Sequence, residues 1–174
     1  MRLRAVAMGV GLGLLAHGLY IPAKAALAQV LLARAWEATV ETGRPAKPWP
    51  WADTHAVGRL EIAGRRFVVL GGSSGEAMAF GPALSEGTAS PLINGHRDTH
   101  FRVLRDVEPG DEVVWQTAKG ETRYRIAGTV VVERPRARVV PGALTLTTCW
   151  PFGGVLRGPE RFVVTALPVE AATS

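Results

Sequence analysis

The chain has 174 residues, 47% hydrophobic and 20% charged, which suffices for one globular domain with a hydrophobic core and excludes a disordered chain. Its single cysteine excludes an intrachain disulfide and a Cys₄ or Cys₂His₂ zinc site. The net charge of +5 suits an anionic membrane surface or a cell-wall polymer. Because the basic residues are scattered and form no patch interleaved with aromatic residues, the sequence does not indicate nucleic-acid binding.

The N-terminal segment predicts a membrane anchor. No charged residue occurs from Ala5 to Ile21, a run at the short end of what crosses a hydrocarbon core of about 30 Å. Arg2 and Arg4 favour a cytoplasmic N-terminus, so we expect a single-pass protein of the cytoplasmic membrane with its body on the periplasmic or extracytoplasmic side. The alternatives are a signal peptide cleaved after Ala28 and a buried helix of a soluble domain.

The next segment predicts a helical stalk and then a linker. Apolar residues recur at helix-like spacing from Ala23 to Thr39, which indicates that a helix continues past Pro22. The stretch after Thr42 holds three prolines and two tryptophans, and proline disfavours both helices and central strands. We therefore expect an anchor and amphipathic stalk over residues 1–41, a linker over 42–56 and a folded domain over 57–174.

The folded domain is predicted to be all-β. Ala63-Gly64-Arg65 and Ala118-Lys119-Gly120 are typical of hairpin turns, and one short helix is expected around Glu76–Phe80. Short strands with little helix favour a closed or nearly closed β-barrel. The predicted strands are Val57–Ile62, Arg66–Leu70, Leu92–Asn94, Glu112–Thr117, Glu121–Ala127, Val130–Glu133, Ala143–Thr148 and Phe162–Leu167.

Cys149 stands at the end of a predicted strand and is followed at once by Trp150 and Pro151. A lone cysteine is most often a small buried hydrophobic residue, but it can also ligate a metal or act as a nucleophile. A residue that ends a strand at a barrel rim is exposed enough to react. This position favours the nucleophile.

A nucleophilic cysteine needs an acid or base partner, and the histidines offer few choices. His17 lies in the predicted membrane segment and His55 in the linker. His96 and His100 follow directly after the strand Leu92–Asn94, where polar side chains reach the rim of a barrel.

Two other interpretations of these histidines remain open. His96, Asp98 and His100 could hold a metal together with Cys149, although the spacing matches no standard zinc motif. They could also be ordinary loop residues that pair with Asp98.

Arg161 immediately precedes the last predicted strand. If Thr145–Cys149 and Arg161–Thr165 are antiparallel neighbours, Arg161 lies near Cys149. A guanidinium stays charged and can donate to a developing oxyanion. The alternative is a surface arginine without a role in chemistry.

Three motifs, in this order, resemble those of the sortases. Asn94-Gly95-His96-Arg97 resembles the histidine segment of the family, and Thr145-Leu146-Thr147-Thr148-Cys149 has its Thr-Leu-x-Thr-Cys form. Arg161 matches the position of the family's arginine. The Gram-negative sortases are the most similar, through the segments Pro48–His55, Gly95–Phe101 and Trp150–Phe152.

The resemblance implies a closed eight-stranded sortase-like β-barrel and cysteine transpeptidation, with no cofactor and no metal. Cys149 would attack the Thr–Gly carbonyl of a C-terminal Leu-Pro-x-Thr-Gly-like sorting signal. His96 would act as acid or base, and Arg161 would hold the substrate or the oxyanion. The residues predicted to bind the substrate are Thr148, Leu146 and Asn94.

The implied partners are proteins with such a sorting signal, an amine acceptor and the cytoplasmic membrane. Other functions remain open at this point. A cysteine peptidase would use the same residues but transfer the acyl group to water. A non-catalytic, membrane-tethered binding barrel predicts that Cys149→Ala leaves all binding intact, and a metal site predicts metal in the purified protein.

Overall fold

The structure is a computed structural model that describes residues 2–71, 75–134, 139–154 and 158–169. For residues 2–17, 19, 21, 22, 75 and 76 it describes the backbone alone.

A long helix precedes the barrel and packs on its side. Helix α1 runs from Arg2 to Thr42 without a break at Pro22. Its buried residues recur at helical spacing, so that one face of its C-terminal part meets the barrel: Leu32, Ala35, Trp36 and Thr39. The spacing argument for a helix over Ala23–Thr39 is confirmed.

Among the side chains that the structure describes, no helix combines the length and the apolar character needed to cross a membrane. The predicted span Ala5–Ile21 falls, apart from Gly18 and Tyr20, on residues whose side chains lie outside that description.

Eight strands follow the linker. Two further elements interrupt them: the short helix α2, Gly75–Phe80, and a 3₁₀ segment, His100–Asp106. The strands are β1 Ala56–Ile62, β2 Arg65–Gly71, β3 Ala83–Leu84, β4 Leu92–Asn94, β5 Glu112–Thr117, β6 Gly120–Glu133, β7 Leu144–Cys149 and β8 Glu160–Pro168.

The strands form a closed barrel in the order β1-β2-β3-β4-β7-β8-β6-β5. The pairing of β1 with β5 closes it, and the predicted closed eight-stranded barrel is thereby confirmed. Two pairings in the circle are parallel, β2 with β3 and β4 with β7, while the others are antiparallel. The parallel pair β4–β7 matters for function, because it brings Asn94 beside Thr147.

The inward faces of the strands fill the barrel with apolar side chains. Its core includes Leu60, Ile93, Val113, Leu146 and Val164, all with no exposed surface. Phe101 and Leu104 of the 3₁₀ segment belong to the same core. This segment therefore covers one end of the barrel, directly after the loop that carries His96.

The structure corrects three details of the predicted elements. Glu121–Ala127 and Val130–Glu133 are one strand, β6, whose pairing with β8 shifts register between Ile126 and Gly128. Such an irregularity bends a strand without ending it, so a break in the pattern was wrongly interpreted as a break in the strand. The two-residue strand β3 and the 3₁₀ segment carry no local signal of their own and were not predicted.

Candidate active site

Strand β7 places Cys149 at the rim of the barrel. Successive side chains on a strand point to opposite faces, so Thr145, Thr147 and Cys149 share one face, whereas Leu144 and Leu146 lie on the other. The leucines are completely buried in the core. Cys149, at the end of the strand, is half-buried with a free thiol.

This alternation places two of the predicted substrate-binding residues, Leu146 and Thr148, on the inward face of the strand, and their contact with a substrate stays a prediction. Leu146 has no exposed surface, and Thr148 is 2% exposed, with its hydroxyl donating to the carbonyl oxygen of Gly95 at 2.7 Å. Neither is among the residues that line the two rim cavities described below. Their neighbours Thr145 and Thr147, on the opposite face of β7, line a cavity described below, although they too are largely buried.

Arg161 lies directly across from Cys149. The antiparallel register of β7 and β8 pairs these two residues and also pairs Thr145 with Thr165, which confirms the predicted neighbourhood of Arg161 and Cys149. Residues opposite each other in such a ladder have Cα atoms roughly 4.5–5.5 Å apart. The Nη1 of Arg161 donates to the carbonyl oxygens of Glu160 at 2.7 Å and Gly158 at 3.1 Å, so backbone contacts hold the guanidinium at the strand end.

His96 is held by backbone hydrogen bonds on both sides. The amide of Gly95 donates to the carbonyl of Thr147 at 3.1 Å, which fastens the residue before His96 to strand β7. The carbonyl of His96 accepts from the amides of Thr99 at 3.3 Å and Phe101 at 3.0 Å, which starts the 3₁₀ segment. A Cβ on Gly95 would lie 2.6 Å from the ring of Phe101, so this turn requires glycine.

His96 and Cys149 line one cavity of about 260 Å³, together with Arg97, Asp98 and Thr99. The two groups predicted for acid–base and nucleophilic chemistry thus face a common space at the barrel rim. A cavity of this size admits a peptide bond or an amine beside the thiol.

Arg97 is a residue of this cavity that the sequence interpretation did not single out. It is 5% exposed, its Nη2 donates to the carbonyl of Gly154, and its Nε lies 3.4 Å from an oxygen of Asp98. Its neighbour Asp98 is largely exposed. Only the motif Gly-His-Arg-Asp pointed to this arginine, and burial in a loop has no signature in sequence.

A second cavity, of about 200 Å³, continues along the same face of the sheet. Its lining includes Arg161, Asn94, Thr145, Thr147 and Arg134. We call this second cavity the groove. The amide of Asn94 donates to the hydroxyl of Ser85 at 2.7 Å, so its position is fixed.

Thr145 is the unusual member of the groove. It is 2% exposed, and its hydroxyl has no hydrogen-bond partner among the described residues. A buried hydroxyl without a partner costs free energy, which a ligand that bonds to it would recover. The alternation of side chains on β7 was the signal that could have identified Thr145 and Thr147.

His100 stands apart from the chemistry. It lies outside the cavity of Cys149, with its ring edge-on to Phe67 at 6.1 Å. Burial, and secondly the nearby charge of His96, lower the pKa of His100 below its usual 6.5. Its environment thus favours the neutral ring.

The described residues contain no group of three or more His, Cys, Asp or Glu side chains arranged to hold a metal ion. They therefore give no support to a metal cluster around His96, Asp98 and His100. A larger apolar cavity, about 770 Å³, lies between α1, the linker and α2, but neither a histidine nor the cysteine lines it. Because the reactive groups line the smaller cavity, the smaller cavity is the candidate active site.

Comparison with known proteins agrees with this geometry. Residues 59–169 match the family model of the sortase domain. Sortase D of Bacillus subtilis (strain 168) is 33% identical over 78 residues, which cover 42% of this chain and 39% of that relative. The chain therefore matches less than half the length of this relative.

Solved sortase structures share the fold. The pilus-related sortase C of Group B Streptococcus is 25% identical with a TM-score of 0.58, covering 66% of this chain and 67% of that one. Sortase A from Corynebacterium diphtheriae is 20% identical with a TM-score of 0.59, covering 71% of this chain and 65% of that one. The family model matches well over half of the chain in the segment that carries His96, Cys149 and Arg161, and the chain belongs to the sortase family.

Proposed function

We propose that this chain is a membrane-anchored sortase, a cysteine transpeptidase that cleaves a C-terminal Leu-Pro-x-Thr-Gly-like sorting signal between Thr and Gly. The observation that carries the proposal is the shared cavity of Cys149 and His96 at the barrel rim, with Arg161 across the ladder from the cysteine. Family membership supports the same reaction.

In the first step the thiol proton of Cys149 passes to His96 as the sulfur attacks the Thr carbonyl carbon. A C–S bond forms, the Thr–Gly C–N bond breaks, and His96 gives a proton to the departing glycine amine. In the second step an amine attacks the thioester carbon. A new C–N bond forms, the C–S bond breaks, and His96 takes the proton of the attacking amine and returns it to the sulfur, which restores the starting pair.

The groove is the proposed site of the sorting signal. It adjoins Cys149 through Thr147, two residues away on the same face of β7, and Arg161 borders it at the cysteine end. Thr145 offers a buried hydroxyl that a peptide carbonyl or amide can pair with. Asn94 completes the polar side of the groove, and Arg161 would hold the peptide or the developing oxyanion.

The membrane anchor is part of the same proposal. Its support is the uncharged run Ala5–Ile21 behind Arg2 and Arg4, and a helix that continues unbroken from this run to the surface of the barrel. Membrane fractionation of cells that express the full chain tests it, with protease added outside the cytoplasmic membrane. Exposure of the barrel and a carbonate-resistant membrane association are expected.

Mass spectrometry tests the chemistry. The full chain in detergent is incubated with a library of Leu-Pro-x-Thr-Gly-type peptides, with and without hydroxylamine. An acyl adduct on Cys149, peptide hydroxamate and release of the C-terminal fragment are expected, and Cys149→Ala and His96→Ala should yield none of the three. Cleavage that yields only free acid in the presence of amines would instead indicate a peptidase.

A further inference from the structure

Two loops meet at the cavity of Cys149, and each carries one reactive residue at its base. The first loop follows β4 and contains His96, and the second follows β7 directly after Cys149. Arg97 of the first loop donates from Nη2 to the carbonyl of Gly154 in the second. The contact joins residues 57 positions apart in the chain.

We propose that Arg97 is a positioning residue that ties these two loops together and thereby sets the placement of His96 relative to Cys149. The inference rests on the proposed acyl transfer. The guanidinium of Arg97 is 5% exposed at the wall of the reactive cavity.

The burial of this guanidinium argues for a specific task. An arginine taken out of water is unfavourable unless its N–H groups are hydrogen-bonded. Two nitrogens of Arg97 have such partners: Nη2 donates to the backbone carbonyl of Gly154, and Nε lies 3.4 Å from the carboxylate of Asp98. The planar fork of a guanidinium can serve two such acceptors at once, which an ammonium group cannot do with the same geometry.

Other contacts hold the rest of the site, so the effect of replacing Arg97 can be measured separately. Strand β7 holds the near side of His96 through Gly95 and Thr148. The start of the second loop is held by Trp150, which stacks on Phe162 with ring centroids 5.8 Å apart. Arg97 directly follows His96, and its hydrogen bond to Gly154 connects the later part of the second loop with the first loop.

The test compares Arg97→Ala, Arg97→Lys and a matched control, Arg105→Ala, in the full chain in detergent. Arg105 is an exposed arginine of the adjacent 3₁₀ segment that pairs with its neighbour Asp106. Steady-state kinetics with the peptide identified by the library supply kcat and KM. Hydrogen exchange of the amides in residues 150–154 reports the contact between the loops without reference to activity.

For Arg97→Ala we expect kcat to fall by about 10- to 100-fold, since small misplacements of reacting groups cost rates of this order, while KM changes little. Exchange in residues 150–154 should accelerate. Arg97→Lys should recover part of kcat, and Arg105→Ala should match the wild type in both measurements. Should Arg97→Ala not fold, the lysine variant still shows the reduced kcat and faster exchange.

Two results overturn the inference. Unchanged exchange in both Arg97 variants means that the loops are not tied through this residue. Faster exchange with an unchanged kcat means that the tie does not position the reactive groups. A wild-type chain that transfers no acyl group to any amine or to water overturns the proposed function and the positioning role of Arg97 with it, while the exchange data still report whether the two loops are tied.

Discussion

The hydroxyl of Thr148 donates to the carbonyl oxygen of Gly95 at 2.7 Å, and through this bond strand β7 holds the residue next to His96. The two partners are 53 positions apart in the chain. The same strand carries Cys149 one residue further on. This buried side-chain hydrogen bond, together with the bond from the Gly95 amide to the Thr147 carbonyl, links the elements that supply the base and the nucleophile.

Thr148→Val removes this bond and nearly preserves the shape of the side chain. Because the carbonyl of Gly95 then stays buried without this donor, we expect a loss of about 1–3 kcal/mol in the free energy of unfolding. Acyl transfer should fall as well, since the residue before His96 loses one of its two hydrogen bonds to β7. Chemical denaturation and steady-state kinetics measure the two effects. Thr148→Ser retains the hydroxyl and should stay close to wild type; equal losses in both variants would exclude the hydrogen bond as the cause.

Thr145→Val should weaken the binding of the peptide without lowering the stability of the fold. The hydroxyl of Thr145 is buried and has no partner among the described residues, so an isosteric methyl group should leave the free energy of unfolding unchanged or raise it by up to about 1–2 kcal/mol. If the groove binds the sorting peptide, KM for that peptide should rise. A clear drop in the melting temperature would show that the hydroxyl has a structural partner instead.

Leu146→Ala tests whether Leu146 supports the barrel rather than the substrate. The residue is fully buried in the core, so truncation should lower the free energy of unfolding by about 2–5 kcal/mol. At a temperature where the variant remains folded, KM for the peptide should stay near the wild-type value. Leu146→Met, which conserves volume, is the control and should cost below about 1.5 kcal/mol. A raised KM in the methionine variant would restore Leu146 as a substrate contact.

His100 should make the fold sensitive to mild acid. Its pKa in the folded state is lowered, chiefly by burial and further by His96, whereas the unfolded chain titrates near 6.5. The unfolded state therefore binds more protons between these two values. Stability from the neutral ring is fully present above pH 6.5 and decreases as the pH falls from there towards the folded pKa.

Denaturation midpoints measured from pH 8 to pH 5 check this expectation. His100→Phe keeps an aromatic ring against Phe67 but has no titrating group, so its loss of stability below pH 6.5 should be smaller than that of the wild type. Parallel curves for the two proteins would assign the acid sensitivity to other residues.

Much of the barrel could be predicted from local patterns. Strands such as Leu92–Asn94 and Glu112–Thr117 have the predicted bounds, because alternation and turn residues mark them. Strand β3 was not predicted, because two residues form no periodic pattern. It is defined by its pairing with β2 and β4. Strand β6 was divided in two because a local irregularity resembles a turn in sequence.

The candidate site, like the barrel, could be predicted from the sequence only in part. The position of Cys149 at a strand end and its pairing with Arg161 follow from two adjacent strands in the chain, and both were predictable. The assignment of Leu146 and Thr148 as substrate contacts stays a prediction: both are buried on the inward face of β7, whereas Thr145 and Thr147, at intervals of two from Cys149, line the groove. Arg97 was missed because nothing local indicates that its guanidinium is buried.

The sequence by itself determined the local elements: a long helix ahead of short strands, a thiol where a strand stops and a histidine where another stops. Turn chemistry and the period of apolar residues act over a few positions, so they can be read without the fold. The tertiary structure alone decided that β4 runs parallel to β7, which places Asn94 beside Thr147 and His96 at the cavity of Cys149. Pairing between strands about 50 residues apart depends on how the whole barrel closes around its core, and no local pattern contains that information.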